Sequence, residues 1–289
     1  MRGWWQDLTD LVLPADCAGC GAPRTVLCAR CRAKLDAGVS RRVRPVPEPA
    51  GLPVVHAVAP YAAEVRALLL AHKERGALVL AGVLGRALAR AVRAGLGEHG
   101  AGGGAAGSPE CGSVLLVPVP SARWAVRARG HDPVRRMALA AAGELRRTGT
   151  PARVAAVLRQ RRAVADQAGL DARQRLANLA GALEVSPGGG RLLGAGRVVL
   201  VDDLMTTGAS LAEAARALRE ADVSRPARGT VVYAAITREG REERRTGARQ
   251  ERSEWVHSAQ EKTVPNALGR KLRAAVIAAP RDSFEISRN

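Results

Sequence analysis

The chain has 289 residues, enough for one large domain and a small additional module. Hydrophobic residues make up 47% of it and aromatic residues only 2%, which excludes disorder of the whole chain and predicts an aliphatic core. The net charge of +18 suggests a nucleic-acid partner, but the distribution of the charge along the chain is more informative than its total.

The N-terminal segment carries Asp7 and Asp10 where a secretory signal peptide would be apolar, so we expect a cytoplasmic protein. The longest apolar stretch begins at Ala77 and is interrupted by Arg86 and Arg90. Because a bilayer-spanning helix needs about 20 predominantly apolar residues, no membrane insertion is expected.

Four cysteines follow the pattern C-x2-C-x7-C-x2-C, at Cys17, Cys20, Cys28 and Cys31. Each C-x-x-C turn can direct two thiolates to one point, and two such turns close a tetrahedral shell. A redox C-x-x-C would occur once in a thioredoxin-like unit, and disulfides are rare in the cytosol. We therefore predict a structural Zn²⁺ module over residues 1–36, without an open coordination position for catalysis, and regard Cys111 as incidental.

Strand and helix signals alternate after a linker predicted over residues 37–53, which is rich in Pro, Gly and Arg. The predicted strands are VVHAVAPY, SVLLVPVP, ARVAAVL, RVVLVDD and GTVVYAAIT. The predicted helices lie in YAAEVRALLLAHKERG, over about 77–96, over about 133–147, at the start of DARQRLANLAGAL, and in LAEAARALREA. This alternation predicts an α/β domain with a mostly parallel sheet over residues 54–238.

Residues 239–289 are a mixture of charges without sustained helical periodicity. We expect a mobile tail with a short helix around LGRKLRAAVI. Residues 241–289 are accordingly expected to be dispensable for folding and for ligand binding.

Positive charge is concentrated in residues 121–175, which hold 13 arginines against four acidic residues, a net charge of +9. Such a segment suits the phosphates of a polymer or of a small polyanionic substrate, and a merely solvated basic surface is the alternative.

The stretch VVLVDDLMTTGAS at 198–210 combines two adjacent acids with a phosphate-type turn. Ligands of parallel sheets bind at the carboxyl ends of the strands, where Asp202 and Asp203 fall. The turn from Met205 to Ser210 opens a helix, so its N–H groups and hydroxyls form an anion site. A ribose 5-phosphate satisfies both halves, with its hydroxyls on the acids and its phosphate in the turn. The chain lacks the P-loop and Rossmann glycine motifs.

This stretch resembles the phosphoribosyl pyrophosphate motif of type I phosphoribosyltransferases. Taken with other motifs in order, the chain from about Cys17 to Arg238 resembles the ComF family, which is associated with DNA uptake and competence. The further motifs are the four-cysteine knuckle, YAAEVRALLLAHKERG, VPVPSARWAVRARGHDPVRRMA and LRQRRAVADQAGLDARQRLAN.

The resemblance implies a fold of the type I phosphoribosyltransferase kind and roles for particular residues. It implies that Asp202 and Asp203 hold the ribose hydroxyls or a bound Mg²⁺. The implied 5-phosphate site is Thr206, Thr207, Gly208, Ala209 and Ser210, and the implied pyrophosphate site is Val119, Pro120, Ser121, Arg127 and Arg129. It also implies that Arg159, Gln167, Arg173, Arg175 and Asn178 belong to a segment covering the site.

The sequence departs from the family pattern in three places, one of which is the long tail after Arg238, which is not part of the pattern. The usual Arg-Gly-Phe-Asn reads Arg129-Gly130-His131-Asp132, and the helix carrying Lys73 lacks the usual aromatic pattern, which weakens the case for Lys73. An aspartate able to contact a purine stands at the position of Thr206 in purine-salvage relatives, so purine salvage is disfavoured.

Two hypotheses follow for the function. The first is a ComF-type protein that binds phosphoribosyl pyrophosphate with Mg²⁺. Whether it also transfers the phosphoribosyl group is left open, and the sequence does not identify an acceptor. The second is a non-catalytic protein of the same fold that binds single-stranded DNA or DNA-uptake proteins. Scarce aromatic residues count against the second, because single-strand grooves normally supply stacking platforms.

Overall fold

A computed structural model of the chain describes residues 16–97, 113–164, 169, 171–194, 196–223 and 272–284. The strands are β1 (Arg41–Val43), β2 (Val54–Pro60), β3 (Val114–Pro118), β4 (Ala152–Val154), β5 (Leu158–Gln160), β6 (Leu183–Val185), β7 (Arg197–Leu204) and β8 (Arg273–Ala279). The helices are α1 (Ala29–Asp36), α2 (Ala63–Glu74), α3 (Ala81–Gly97), α4 (Arg123–Arg129), α5 (Pro133–Arg147), α6 (Ala172–Leu179), α7 (Gly189–Leu193) and α8 (Ala209–Val223).

The main sheet has the strand order β1-β2-β8-β7-β3-β4. All neighbouring pairs are parallel except β1 with β2, which confirms the predicted α/β class with a mostly parallel sheet. Strands β5 and β6 form a separate antiparallel pair. Residues 41–43, inside the predicted linker, form the antiparallel edge strand of the main sheet.

Both faces of the sheet are covered, as a parallel sheet requires. Alternate residues of β7 and β8 face opposite sides: Val201 and Ile277 pack in one cluster with α2, α3 and α5, whereas Leu200 and Val276 pack in the other with α8. Helices α3 and α5 approach closely at Gly85, where an added Cβ would lie 2.9 Å from the amide nitrogen of Ala141. Within the described part of the chain, no helix is both long and apolar enough to cross a bilayer.

The C-terminal segment differs from the sequence prediction. Residues 273–279 form a strand between β2 and β7, and six of its seven residues are buried, so the predicted mobile tail is wrong at 272–284. The predicted helix around LGRKLRAAVI is likewise wrong at 273–277, since parallel partners on both sides satisfy the strand's backbone there. The predicted strand GTVVYAAIT lies outside the described residues.

Candidate functional site

Strands β3 and β7 are neighbours whose following connections leave in opposite directions. The chain continues from β3 through α5 to β4 on one side and from β7 through α8 to β8 on the other. Such a topological switch point opens a crevice at the carboxyl ends of the two strands, where ligands bind in open α/β sheets. The predicted site residues at 119–121 and 202–210 follow these two strands.

The crevice contains a cavity of about 410 Å³. Of the predicted site residues, its lining includes Val119, Pro120, Ser121, Arg129, Asp202, Asp203, Thr206 and Ser210. Its size falls within the about 300–1,000 Å³ that small-molecule sites occupy. The tertiary structure therefore joins the predicted pyrophosphate, ribose and phosphate segments in one cavity.

The end of β7 is tied to both neighbouring strands. The N–H of Val119 donates to the carbonyl of Val201 at 2.9 Å, and the N–H of Met205 donates to the carbonyl of Ala278 at 3.0 Å. These bonds place residues 119–121 beside Asp202 and hold the turn that follows Leu204 against β8. The positions of residues 119–121 and of the turn after Leu204 thus depend on β8 as well as on β3 and β7.

The two aspartates are buried and differ in their electrostatics. Burial raises the pKa of Asp202 well above its ordinary value, and the negative charge of Asp203 adds to this. Burial would also raise the pKa of Asp203, but the charge of Lys73 and hydrogen bonds to the carboxylate lower it overall. Lys73 Nζ lies 3.0 Å from Asp203 Oδ2, and this charge raises the lysine pKa. Asp203 is therefore the ionised partner of Lys73, and an additional cation would stabilise the ionised form of Asp202.

The last turn of α2 carries two cavity residues: Lys73, for which the sequence made only a weak case, and Glu74, which the sequence prediction missed. Glu74 accepts two hydrogen bonds of 2.8 Å from the guanidinium of Arg129. His131 reaches the same turn, with Nε2 3.3 Å from the carbonyl oxygen of His72. The sequence signal for this turn was its place in the motif YAAEVRALLLAHKERG, which departs around Lys73 from the pattern of the family that the chain resembles.

The segment Gly130–Asp132 connects α4 to α5. Gly130 adopts φ +71, a backbone conformation that suits glycine, at the end of α4. Asp132 is the N-cap of α5, and its carboxylate accepts from the N–H of Arg135 at 3.0 Å. Because Asp and Asn are comparable N-caps, the acid replaces the amide without loss of this capping contact.

Two residues of the predicted linker over 37–53 lie against the phosphate-type turn, residues 205–210. Gly208 has φ +76, and an added Cβ would lie 3.1 Å from Leu52 and 3.3 Å from Pro45. Thr206 and Ser210 line the cavity. The three residues between them in sequence do not: Thr207, Gly208 and Ala209. The first N–H groups of α8 have no partner within the helix, as at any helix N-terminus, and are available to an anion.

The basic segment 121–175 divides its arginines between the cavity and the scaffold. Arg129 and Arg175 line the cavity, whereas Arg127 is exposed on α4 and does not. Four others contact carboxylate or carbonyl oxygens elsewhere: Arg146, Arg147, Arg159 and Arg162. Concentrated charge in the sequence therefore overstates the positive charge of the cavity. Among the other expected covering residues, Gln167 lies outside the described residues.

A wall of the cavity comes from β5, β6 and α6, through Gln160, Leu183 and Arg175. Buried Glu213 of α8 accepts a hydrogen bond from the N–H of Leu183 at 2.9 Å. Arg216 donates to the carbonyl oxygen of Leu183, also at 2.9 Å. Burial alone would raise the pKa of Glu213, but hydrogen bonds from Arg216 lower it below its ordinary value. This ion pair attaches the wall to α8, the helix that begins at the phosphate-type turn.

The four cysteines form a second site, distant in sequence from the cavity residues. Their Sγ atoms all lie within 4.8 Å of one another, with Cys20 Sγ and Cys28 Sγ 3.6 Å apart. A tetrahedral ion with Zn–S bonds of about 2.3 Å separates its sulfurs by about 3.8 Å. Gly21 adopts φ +75, as a knuckle requires. The cluster can therefore bind a metal ion such as zinc.

The cysteine module is packed on the domain. Leu35 of α1 is fully buried in the core cluster that contains α2, α3 and α5, and Cys31, four residues earlier on the same helix, is also fully buried. An added Cβ at Gly19 would lie 2.9 Å from Cys31 Sγ and 3.3 Å from Leu68. The cluster thus supports the surface on which α2, the helix of Lys73, rests.

A scan against models of protein families finds no match for the chain. A search of curated proteins also finds none.

Proposed function

We propose that the cavity binds phosphoribosyl pyrophosphate together with Mg²⁺ and that phosphoribosyl transfer is the reaction it serves, as the ComF-type resemblance implies. One observation carries the proposal: two buried aspartates, a phosphate-type turn and the 119–121 segment line a single cavity at the switch point. A ligand with both hydroxyls and phosphates offers hydrogen-bond donors to the aspartates and anionic groups to the turn and to the 119–121 segment.

The carboxylates of Asp202 and Asp203 fit Mg²⁺, because hard oxygen donors are what this ion takes. Asp202 in particular, whose ionised form burial and Asp203 disfavour, is stabilised by a cation. When bound, Mg²⁺ neutralises charge on the pyrophosphate oxygens.

The residues of the chain position the sugar and neutralise the leaving group. The two aspartates accept from the ribose hydroxyls, and the 205–210 turn holds the 5-phosphate. The bond from the anomeric carbon to the pyrophosphate oxygen breaks as the bond to the acceptor forms. Arg129 and the backbone of residues 119–121 stabilise the departing pyrophosphate. To do so, the guanidinium of Arg129 must either bind Glu74 and the pyrophosphate together or break its hydrogen bonds with Glu74.

Replacing Asp202 and Asp203 together by asparagine is expected to weaken binding of phosphoribosyl pyrophosphate with Mg²⁺ at least tenfold. Each aspartate loses ribose contacts worth about 1–3 kcal/mol. Calorimetric titration measures the affinity, and circular dichroism of the variant checks the fold. Asp171→Asn, which changes an acid that caps α6 outside the cavity lining, is the control. Unchanged affinity in the double variant would reject the assignment of the pair.

We also propose that the cysteine cluster holds one structural zinc ion. Four thiolates fill all four tetrahedral positions, so no position is left for a substrate or a water molecule. The packing of the module against the core supports a role in stability.

A second candidate function, binding of single-stranded DNA, is favoured by Trp124. This side chain is 61% exposed on α4 at the rim of the cavity, with exposed Arg123 and Arg127 on the same helix. An exposed aromatic ring between cations is the arrangement on which bases stack while phosphates are neutralised.

Single-stranded DNA is expected to bind weakly and with strong salt dependence. The log–log slope should be about −0.7 per phosphate contacted. Trp124→Ala with Arg127→Ala should reduce the affinity, whereas Leu139→Ala with Arg135→Ala, a matched exposed pair on α5, should not. Fluorescence anisotropy of a labelled oligonucleotide across a salt series measures both. Tight binding at physiological salt without phosphoribosyl pyrophosphate binding would make DNA binding the primary function.

A further inference from the structure

The cations of the cavity are not equivalent. Three cationic side chains line it, and two of them pair with acids: Lys73 with Asp203 at 3.0 Å and Arg129 with Glu74 at 2.8 Å. The third, Arg175, forms no ion pair with any residue that the structure describes. Its Nη1 donates to the hydroxyl of Thr206 at 3.3 Å. Among the described residues, the positive charge of Arg175 therefore has no acidic partner, and it lies at the first hydroxyl of the phosphate-type turn.

The helix that carries Arg175 is held at both ends. At its start, Asp171 and Gln174 form a reciprocal capping box, with bonds of 2.8 and 2.9 Å. At its end, Arg162 donates to the carbonyls of Asn178 and Ala180, each at 2.8 Å. Because α6 also packs on α8, the guanidinium is presented to the turn by a fixed element.

The guanidinium has donors to spare for a ligand. Of its five N–H groups, the Thr206 contact uses one, and Nε is buried without a hydrogen-bond partner among the described residues. A guanidinium binds phosphate oxygens through two parallel hydrogen bonds, which a hydroxyl acceptor cannot supply. The contact with Thr206 thus places the guanidinium of Arg175 where it can also bind an anion held in the 205–210 turn.

We propose that Arg175 is a further ligand-binding residue that holds the terminal phosphate monoester of the sugar against the 205–210 turn from the α6 side. This rests on the proposed function and adds to it a residue, outside the turn, that recognises the 5-phosphate. In the proposed function, the pyrophosphate end of the ligand contacts Arg129 and residues 119–121 instead. Arg175 therefore recognises one end of the ligand only.

The test compares three probes by calorimetric titration: ribose 5-phosphate, pyrophosphate with Mg²⁺, and phosphoribosyl pyrophosphate with Mg²⁺. Arg175→Ala is expected to weaken binding of both phosphosugars by about tenfold or more, since a charge-assisted bond is lost, and to leave pyrophosphate binding unchanged. Arg175→Lys, which keeps the charge without the fork, should fall between. Arg191→Ala, an exposed arginine on α7 outside the cavity lining, is the control and should bind like the wild type.

Two outcomes would overturn the role of Arg175 while leaving the proposed function intact. One is unchanged phosphosugar binding in both Arg175 variants. The other is an equal loss for all three probes, which indicates a general effect of charge or of folding rather than recognition of one phosphate. A wild-type chain that binds neither phosphosugar would instead reject the proposed function, and the role of Arg175 with it. Thermal unfolding of each variant identifies a purely structural loss.

Discussion

Replacement of Ile277 by aspartate is expected to prevent the chain from folding. Ile277 is fully buried in β8, which pairs with β2 on one side and β7 on the other and packs against α3. An unpaired carboxylate among aliphatic side chains costs on the order of several kcal/mol. A typical domain has only about 5–15 kcal/mol of stability, so one such change removes most of it.

Soluble yield, circular dichroism and thermal unfolding measure this effect. Asp282→Ala, at an exposed position just after the strand, is the control and should leave Tm almost unchanged. Truncation after Gly240 removes β8 altogether and should also leave the chain unfolded, contrary to the expectation from sequence that residues 241–289 are dispensable. A Tm for Ile277→Asp within a few degrees of the wild type would show that β8 is not needed in the sheet.

Replacement of Cys28 by serine is expected to reduce bound zinc from one ion per chain to near zero. Structural zinc contributes about 10–16 kcal/mol of apparent binding free energy in small zinc modules, which is available only to the folded state. Cys28 also caps α1, where its Sγ accepts from the N–H of Cys31. We expect Tm to fall by at least about 10 °C, because α1 packs on the core through Leu35.

Elemental analysis measures the zinc, and thermal unfolding measures the stability. Cys111→Ser changes a cysteine outside the described residues and outside the four-cysteine pattern, so it should keep its zinc. Near-zero zinc in the unmodified protein would reject the structural zinc ion. Full zinc with an unchanged Tm in Cys28→Ser would show that the remaining three thiolates suffice.

The proposed site lies at the junction of several structural units. Residues 119–121 follow β3, the aspartates end β7, Lys73 and Glu74 end α2, and Arg175 comes from α6. The cysteine module and β8 contact none of the ligand in our proposal, yet each supports an element that does. Their loss is therefore expected to abolish ligand binding through the fold, which distinguishes them from Asp202 and Asp203.

Patterns that are local in the sequence identified much of the fold and part of the site. The apolar run before Asp202 and the turn after it predicted where a strand would end and a helix begin, and the structure has β7 and α8 there. The periodicity over 133–147 coincides with α5. The cysteine spacing predicted a cluster that the structure brings within metal-binding distance. Each signal lies within a few residues of the feature it encodes.

Tertiary structure decided which C-terminal segment enters the sheet. The run RAAVIAA is short and rich in alanine, a strong helix former, so periodicity alone cannot separate a strand from a helix there. Position between β2 and β7 supplies hydrogen-bond partners on both sides and apolar neighbours on both faces, and this outweighs the helix propensity.

Tertiary structure also decided which charges meet. Lys73 and Asp203 are 130 residues apart, and Arg129 and Glu74 are 55 apart, so neither pair has a local signature. The count of 13 arginines in residues 121–175 could not distinguish Arg175, which faces the phosphate-type turn, from Arg162, which caps a helix end. The sequence alone determined the residue types and local turns, whereas the ionisation and partners of the cavity residues depend on distances that only the packed sheet and helices establish.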